Sequence, residues 1–297
     1  MNGKGFLLGI TAAFFWGITG AVGQFLFQEK DINLEWLITV RLLVSGILLL
    51  AIALFKKENI FSIWKNRKYA LQLIIFSFFG VLGVQYTYFA AIKHSNAATA
   101  TILQYLAPII IAIYFVIRNK KAPLKNEIIA ILLAMNGVFL VVTHGNVSSL
   151  TITPLALLLG ISSAITLAIY TVQPKELLEK YNGTVVIGWG MLVGGIIFSF
   201  VKAPWQLEHT IDMEEFYGIV FIILFGSFAA FYLYLSSTKL IGAQKTSLLA
   251  SAEPLIVVLL AITWLGTDFL LIDMIGGICI VFTILILSKK DKKPQLK

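Results

Sequence analysis

The chain reads as a succession of long apolar runs separated by short polar stretches. Ten such runs predict helices with approximate limits 5–27, 34–55, 69–91, 96–117, 126–143, 152–172, 184–201, 215–238, 242–265 and 269–288. About 20 apolar residues carry a helix across a bilayer, and the runs approach or exceed that length. They are too long and too uniformly apolar for the period-two alternation of a barrel strand, so helices are preferred to an outer-membrane barrel. The first run starts at residue 5 with scarcely any basic residue before it and carries Trp16 near its centre. It reads as a retained span rather than a cleaved signal.

Composition sharpens the picture. Of 297 residues, 59% are hydrophobic and 13% are charged, about half the charged share of a soluble domain. This excludes a disordered chain, a coiled coil and an ordinary cytosolic enzyme. The single Cys279 excludes an intramolecular disulfide. The net charge of +8 is explained by topology. With the N-terminus in the cytoplasm, the inner segments hold 19 Lys and Arg, against three outside (Lys30, Lys93 and Lys202), with Arg41 inside a span. That is a strong positive-inside signal. Both termini are expected in the cytoplasm, with a basic tail over 289–297. A nucleic-acid partner has no support.

The chain also repeats itself at an offset of 146 residues. Phe79 and Gly80 match Phe225 and Gly226; Tyr86 and Tyr88 match Tyr232 and Tyr234; Lys93 matches Lys239, Ala97 matches Ala243, Leu103 matches Leu249, and Pro108 matches Pro254. A second match, at offset 151, sets Leu7-Leu8-Gly9-Ile10 of the first run against Leu158-Leu159-Gly160-Ile161 of the sixth. The halves are then residues 5–143 and 152–288, with five spans each. Five is odd, so the second half is expected to lie inverted relative to the first. Inverted repeats mark secondary transporters that rock about a site near the bilayer midplane. Gene duplication without a transport role is the blander alternative.

Small residues recur every fourth position at Gly9, Ala13, Gly17 and Ala21, and again at Gly160, Ala164 and Ala168. Such stripes let helix backbones approach closely in lipid, and packing is their preferred reading.

Candidate site residues cluster around two mid-span prolines, Pro108 and Pro254. Each lacks an N–H and clashes with the preceding turn. The carbonyls released would be those of Gln104 and Ala250, four residues earlier. Matching breaks in the two halves point to a transporter's binding site; a simple kink is the alternative. Glu253 lies near the middle of the ninth run, where an ionised carboxylate costs about 3 kcal/mol on insertion scales. It is a candidate for solute binding or for coupling to a proton or cation, against a purely structural acid. Gln104 and Tyr105 flank Pro108. Trp16 sits at the centre of the first span. Ser163, Thr166 and Tyr170 share one face of the sixth. These residues form the candidate substrate site. Tyr86 and Tyr232 are candidate gates at opposite ends, with interfacial belt tyrosines as the alternative. Arg41 is expected to snorkel to the outer headgroups in preference to balancing Glu253 across a cavity.

Negative findings narrow the field. There is no Walker-type phosphate loop. His94, His144 and His209 fall in or beside loops and form no metal-binding pair, and no catalytic triad or Cys–His arrangement suggests itself. No cofactor or metal is expected.

The ten-run count, the five-plus-five repeat, the stretch TATILQYLAPI in span four and SLLASAEPLIVVLLAITWLG in span nine resemble the EamA-type family of the drug/metabolite transporter superfamily. The Ala-Glu-Pro-Leu run at 252–255 resembles that family's frequent Glu-Pro pair, and Arg41 an Arg often found early in the second span. The resemblance implies a basket of ten helices around a central cavity and movement of amino acids, other small metabolites, nucleotide sugars or drugs. The family's frequent Glu after spans four and nine is absent, leaving only Asp268 nearby.

The fold class expected is therefore an all-α integral membrane protein with ten transmembrane helices in two inverted five-helix repeats around a central cavity. The function expected is secondary transport of a small organic metabolite, taken as export of an amino acid or related compound. The alternative is a membrane-embedded enzyme or a flippase for lipid-linked substrates, which would need clustered acids, His or Cys at the membrane face. Expected partners are the solute, the bilayer and a proton or cation as coupling ion, with a homodimer left open.

Overall fold

The computed structural model describes residues 3–120, 125–146, 151–207, 210–242, 246, 249–250 and 252–288. The basic tail 289–297, His209, and Ala243 of the repeat lie outside the described residues. Those described are helical, with no strand among them. In chain order the helices are α1 (Gly3–Gln28), α2 (Leu34–Phe55), α3 (Arg67–His94), α4 in two pieces (Ala97–Gln104 and Ala107–Asn119), α5 (Lys125–Thr143), α6 (Pro154–Val172), α7 (Gly183–Phe198), α8 (Met213–Ile241), α9 (Glu253–Thr263) and α10 (Leu271–Ser288). Short helices Ser62–Lys65 and Lys175–Lys180 sit in the connections.

By length and composition, α1, α2, α3, α4 taken as one, α6 with its extension to Lys180, and α8 can each cross a membrane. Helices α5, α7, α9 and α10 contribute shorter apolar stretches. Outward-facing Phe55, Ile117, Leu158 and Leu271 are each more than half exposed, as suits a surface solvated by lipid rather than water. The chain is a multi-pass membrane protein.

Polar residues punctuate the apolar runs and start the helices. Asn33, Asn96 and Asn182 accept from the backbone N–H groups of Trp36, Thr99 and Thr184. Thr153 accepts from Ala156, ahead of Pro154 in the first turn of α6. Asp212 and Glu215 form a capping box at the start of α8. Each cap satisfies N–H groups that have no partner within the helix.

Packing follows a pattern that survives exchange of the two halves. Helix α1 packs on α8 and α9, as α6 packs on α3 and α4. Helix α2 touches α8, as α7 touches α3; α2 pairs with α7, and α5 with α10. The small-residue stripes are the seats of these contacts: Gly9, Ala13, Gly17, Ala21, Gly160, Ala164 and Ala168 are all buried. A methyl group on Gly9 would lie 2.8 Å from Leu249, and one on Gly160 would collide with Leu103. Gly9 and Gly160 are 151 residues apart, and Leu103 and Leu249 are 146 apart. The same contact is thus made twice, in the register of both sequence matches.

Two features of the helices themselves repeat in that register. Wide π-type turns occupy Phe76–Leu82 of α3 and Ile222–Ala229 of α8, starting 146 residues apart. They bring Gly80 against Tyr170 of α6 and Gly226 against Thr19 of α1. The second feature is a break. The fourth run was expected to be one helix, but it stops at Gln104 and restarts at Ala107, with Pro108 in the new first turn. Helix α9 likewise begins at Glu253 with Pro254 in its first turn. Proline's missing N–H is harmless there, because the first N–H groups of a helix have no intrahelical partner.

Candidate functional site

The break in α4 places Tyr105 at the C-cap of the first piece. Its hydroxyl donates to the Ala250 carbonyl at 2.8 Å and lies 3.2 Å from Glu253 Oε2. Ala250 owns one of the carbonyls that proline should release four residues upstream. The orphan acceptor of one break is therefore satisfied from the tyrosine of the other. Pro108 and Pro254 consequently act on one place in the fold.

Aromatic rings from four helices form a second group. Trp16 of α1 lies 5.3 Å from Phe231 and 5.3 Å from Tyr234, both on α8. Tyr170 of α6 lies 6.2 Å from Phe231 and 5.3 Å from Phe76 on α3. Helix α1 joins the two groups. A methyl on Gly17, the residue after Trp16, would lie 3.2 Å from the Glu253 carbonyl and 2.7 Å from Ile256. Trp16, Tyr105, Tyr170, Tyr234 and Glu253 are all only partly buried, although they sit within helices that face one another.

Other expected residues fall differently. Thr166 lies 3.2 Å from Thr87 of α3 and also bonds its own helix, so it bridges α6 to α3. Ser163 is fully buried and its hydroxyl donates to the Gly160 carbonyl, inside its own turn. Gln104 is buried at the end of its helix piece. Tyr86 packs edge-on against Phe198 at 5.6 Å, at the end of α7. Tyr232 accepts a hydrogen bond from Lys56 at 2.8 Å, at the end of α2. The two tyrosines thus meet the C-terminal ends of paired helices.

Arg41 departs from expectation. It does not snorkel outward: it is 3% exposed, and its Nε donates to Ser227 Oγ at 2.7 Å. Its guanidinium lies 4.5 Å from the centre of the Phe89 ring, a cation–π contact. Ser227 and Ser45 in turn bond the Ile222 and Ile223 carbonyls, which start the π-type turn. Arg41 is drawn inward because that turn offers it a hydroxyl and Phe89 offers it a ring face. Among the described residues it forms no ion pair with Glu253.

Sequence reasoning did not single out Phe231, Phe76 or Thr87 for the site. Tyr234 carried a signal, its match to Tyr88. The two matched tyrosines now differ: Tyr88 is 8% exposed and bonded to Thr101 at 2.7 Å, whereas Tyr234 is half-buried beside Trp16.

The end of the bundle nearer Tyr88 is closed. Gln24 binds the Ala97 N–H at 2.8 Å and Thr267 at 3.1 Å, and Gln28 binds the Ile92 and Ser95 carbonyls. Phe25 stacks on Trp264 at 5.5 Å. Lys30 bridges Asp212 at 2.9 Å and Glu214 at 2.5 Å. The Glu215 N–H and then Lys30 hold the Asp212 carboxyl below its usual range, and the two acids raise Lys30 above its own. At the opposite end Lys68 pairs with Glu176 at 2.6 Å. Among the described residues no three His, Cys, Asp or Glu side chains group to hold a metal.

Comparison with known proteins gives a consistent result. The model of the EamA-like transporter family matches residues 3–143 and 154–289. The uncharacterized inner membrane transporter YicL of Salmonella typhimurium is 38% identical over 290 residues, covering 98% of this chain and 97% of the relative. The uncharacterized transporter YwfM of Bacillus subtilis is 24% identical over 290 residues, covering 96% and 94%. A solved crystal structure with 16% identity superposes with a TM-score of 0.65 over 96% of each chain, a likeness of fold.

Proposed function

Since the chain belongs to the EamA-like transporter family, we propose that it is a secondary transporter working by alternating access. Its relatives are named transporters, not enzymes. The cargo is a small organic metabolite, an amino acid or related compound, exported across the cytoplasmic membrane. On this reading ten helices span the bilayer with both termini in the cytoplasm. Residues 5–143 and 152–288 form inverted five-helix repeats around a central cavity, and 289–297 form a basic cytoplasmic tail.

The observation that carries the proposal is the pair of breaks. One helix is interrupted at Pro108 and another begins at Glu253 with Pro254 in the same register, and Tyr105 of the first satisfies the Ala250 carbonyl beside Glu253. Interrupted helices with an intramembrane acid are how transporters present polar groups at depth. The exchangeable packing pattern supports two states, because each contact of one half has a counterpart in the other. The end held together by Gln24, Gln28 and Lys30 is then the outer one. Trp16, Gln104, Tyr105, Ser163, Thr166, Tyr170 and Glu253 remain the proposed substrate set, with Ser163 acting from behind through the helix. Tyr86 and Tyr232 are the proposed outer and inner gates. Glu253 is the proposed carrier of the inward-moving proton or cation.

The test is counterflow in proteoliposomes loaded with metabolite mixtures. Flux that disappears in Glu253→Gln while the protein stays folded supports the reading, and wild-type flux removes Glu253 from it. Inversion is tested by placing single cysteines in a Cys279→Ser background. Labelling of the Lys30 and Lys202 loops from the same side as Lys56 overturns the topology.

A further inference from the structure

At the end of the bundle that carries Lys68 and Glu176, one connection from each half borders a shared cavity. It measures about 140 Å³ and is lined by Glu58, Asn59, Ser62, Lys180, Tyr181 and Asn182. The first three come from the connection between α2 and α3, the other three from that between α6 and α7. Asn182 ties the two together. Its Nδ2 donates to Glu58 Oε1 at 2.6 Å, while its Oδ1 caps the start of α7. Val185 completes the lining and packs in an apolar cluster with Leu50, Ala53 and Ile60.

A carboxylate and an ammonium thus line one small space, yet among the described residues neither takes part in an ion pair. Lys180 Nζ donates to the Tyr69 hydroxyl at 3.2 Å and lies 4.4 Å from the centre of that ring. An ammonium has three N–H groups, so two remain. Asn182 engages one oxygen of Glu58, and a carboxylate accepts several donors. Opposite charges that border a cavity without meeting suit a molecule that carries both signs.

Size and setting say which kind. The cavity is well below the roughly 300–1,000 Å³ of pockets that enclose a whole small ligand, so it suits a polar head whose remainder lies outside. Its borders are those of a membrane interface. Trp189 donates to the Ile60 carbonyl at 2.8 Å and meets Trp64 at 5.2 Å and the exposed Phe61 at 5.7 Å. Tryptophans at the ends of spans sit at headgroup level. Leu54 and Phe55, at the end of α2, are exposed for acyl chains to cover.

We infer that this cavity seats the headgroup of a phosphatidylethanolamine, its ammonium at Glu58 and its phosphate at Lys180. The two side chains sum to zero charge, so an anionic headgroup gains Lys180 but is repelled by Glu58. A choline headgroup has no N–H to donate to the carboxylate. The inference needs only a chain that spans a bilayer, not the transport reading.

The test measures lipid binding to the purified full-length chain in detergent by native mass spectrometry. The probes are dioleoyl phosphatidylethanolamine, phosphatidylglycerol and phosphatidylcholine, with O-phosphoethanolamine as the free headgroup. Phosphatidylethanolamine should bind tightest, and O-phosphoethanolamine should displace it poorly. Glu58→Gln keeps an acceptor for Asn182 but removes the charge. It should weaken phosphatidylethanolamine by about two- to fivefold, the scale of an exposed ion pair, and raise phosphatidylglycerol relative to it. Lys180→Met should weaken both lipids. Equal binding of phosphatidylcholine, tighter binding of phosphatidylglycerol to the parent protein, or unchanged affinities in both variants would each overturn the inference. Displacement by O-phosphoethanolamine as strong as by the lipid would give the cavity to a soluble zwitterion instead. The lipid series on the parent protein decides the matter even if a variant does not fold. Counterflow separates this claim from the transport reading. Flux without a headgroup preference leaves the transporter and removes the lipid site, and a headgroup preference without flux of any solute does the reverse.

Discussion

The hydrogen bond between the break in α4 and the start of α9 is the most economical place to test the architecture. Tyr105→Phe removes one oxygen and little else. The ring keeps its place at the C-cap of the first piece of α4, but the Ala250 carbonyl loses its donor at 2.8 Å and Glu253 loses a neighbour at 3.2 Å. Removing one partner of a buried pair costs about 1–3 kcal/mol, because the remaining group stays desolvated and unpaired. Tyr105 is only partly buried, so water can reach the carbonyl in part and the lower half of that range applies. A loss of about 1–2 kcal/mol should lower the melting temperature by roughly 2–6 °C in a chain of this size. The assay is thermal unfolding in detergent, with hydrogen exchange across residues 246–256 as the local readout. Faster exchange there, with other helices unchanged, is the specific signature, since the bond holds the segment before α9 to the break in α4. A Tyr105→Phe protein with unaltered melting and exchange would mean that the two breaks are independent kinks. The joint site would then lose its foundation.

Gly160→Ala should destabilise by about 1–3 kcal/mol through overpacking, because the methyl collides with Leu103; Gly9→Ala should do so less, and equilibrium unfolding ranks the two. Arg41→Lys should not conserve stability. A lysine cannot both bond Ser227 and lay a planar group on Phe89, so a loss of about 1–3 kcal/mol is expected from a buried charge left short of partners. The Lys30 clasp should depend on pH in both directions. Asp212 is held low, so its contribution is complete above the usual carboxylate range and fades as pH falls through its depressed value; Lys30 is held high, so its contribution is complete below the usual lysine range and fades only as pH rises past it. Spin labels at Asp31 and Thr210 should therefore separate at strongly acidic pH, and an invariant distance would show that the clasp does not hold this end shut.

Much of this architecture is legible in the sequence because its signals are long or paired. Apolar length locates the helices, since the bilayer imposes a minimum span. The match of Pro108 to Pro254 marks the breaks because proline acts on the backbone whatever surrounds it. The limits of legibility are rotational. A helix that is apolar all round has no polar face to announce which way it turns, so nothing in the second run tells that Arg41 points at Ser227 instead of at headgroups. Ser163 shares a face with Thr166 and Tyr170 by spacing, yet its hydroxyl folds back onto Gly160. The π-type turns at Phe76–Leu82 and Ile222–Ala229 leave no residue signature in such runs. Phe231 and Phe76 are two phenylalanines among 22, and only the fold selects them.

The matched tyrosines carry the last step. Tyr88 and Tyr234 occupy the same register of the same motif, so a fully symmetric molecule would treat them alike. Instead Tyr88 is buried and bonded to Thr101 while Tyr234 is half-buried beside Trp16. The asymmetry is larger than the two residues, since Phe89 is buried and its match Leu235 is only partly so. On the transport reading, repeats that share packing but differ in exposure are what one of two alternating states would show. On the proposed mechanism the other state exchanges the roles: Tyr234 closes in, Tyr88 opens, and the clasp of Gln24, Gln28 and Lys30 gives way. The energetic demand on that exchange is modest, because the packing that opens at one end has a counterpart that closes at the other. A cargo need only favour one arrangement by its differential affinity to drive the exchange.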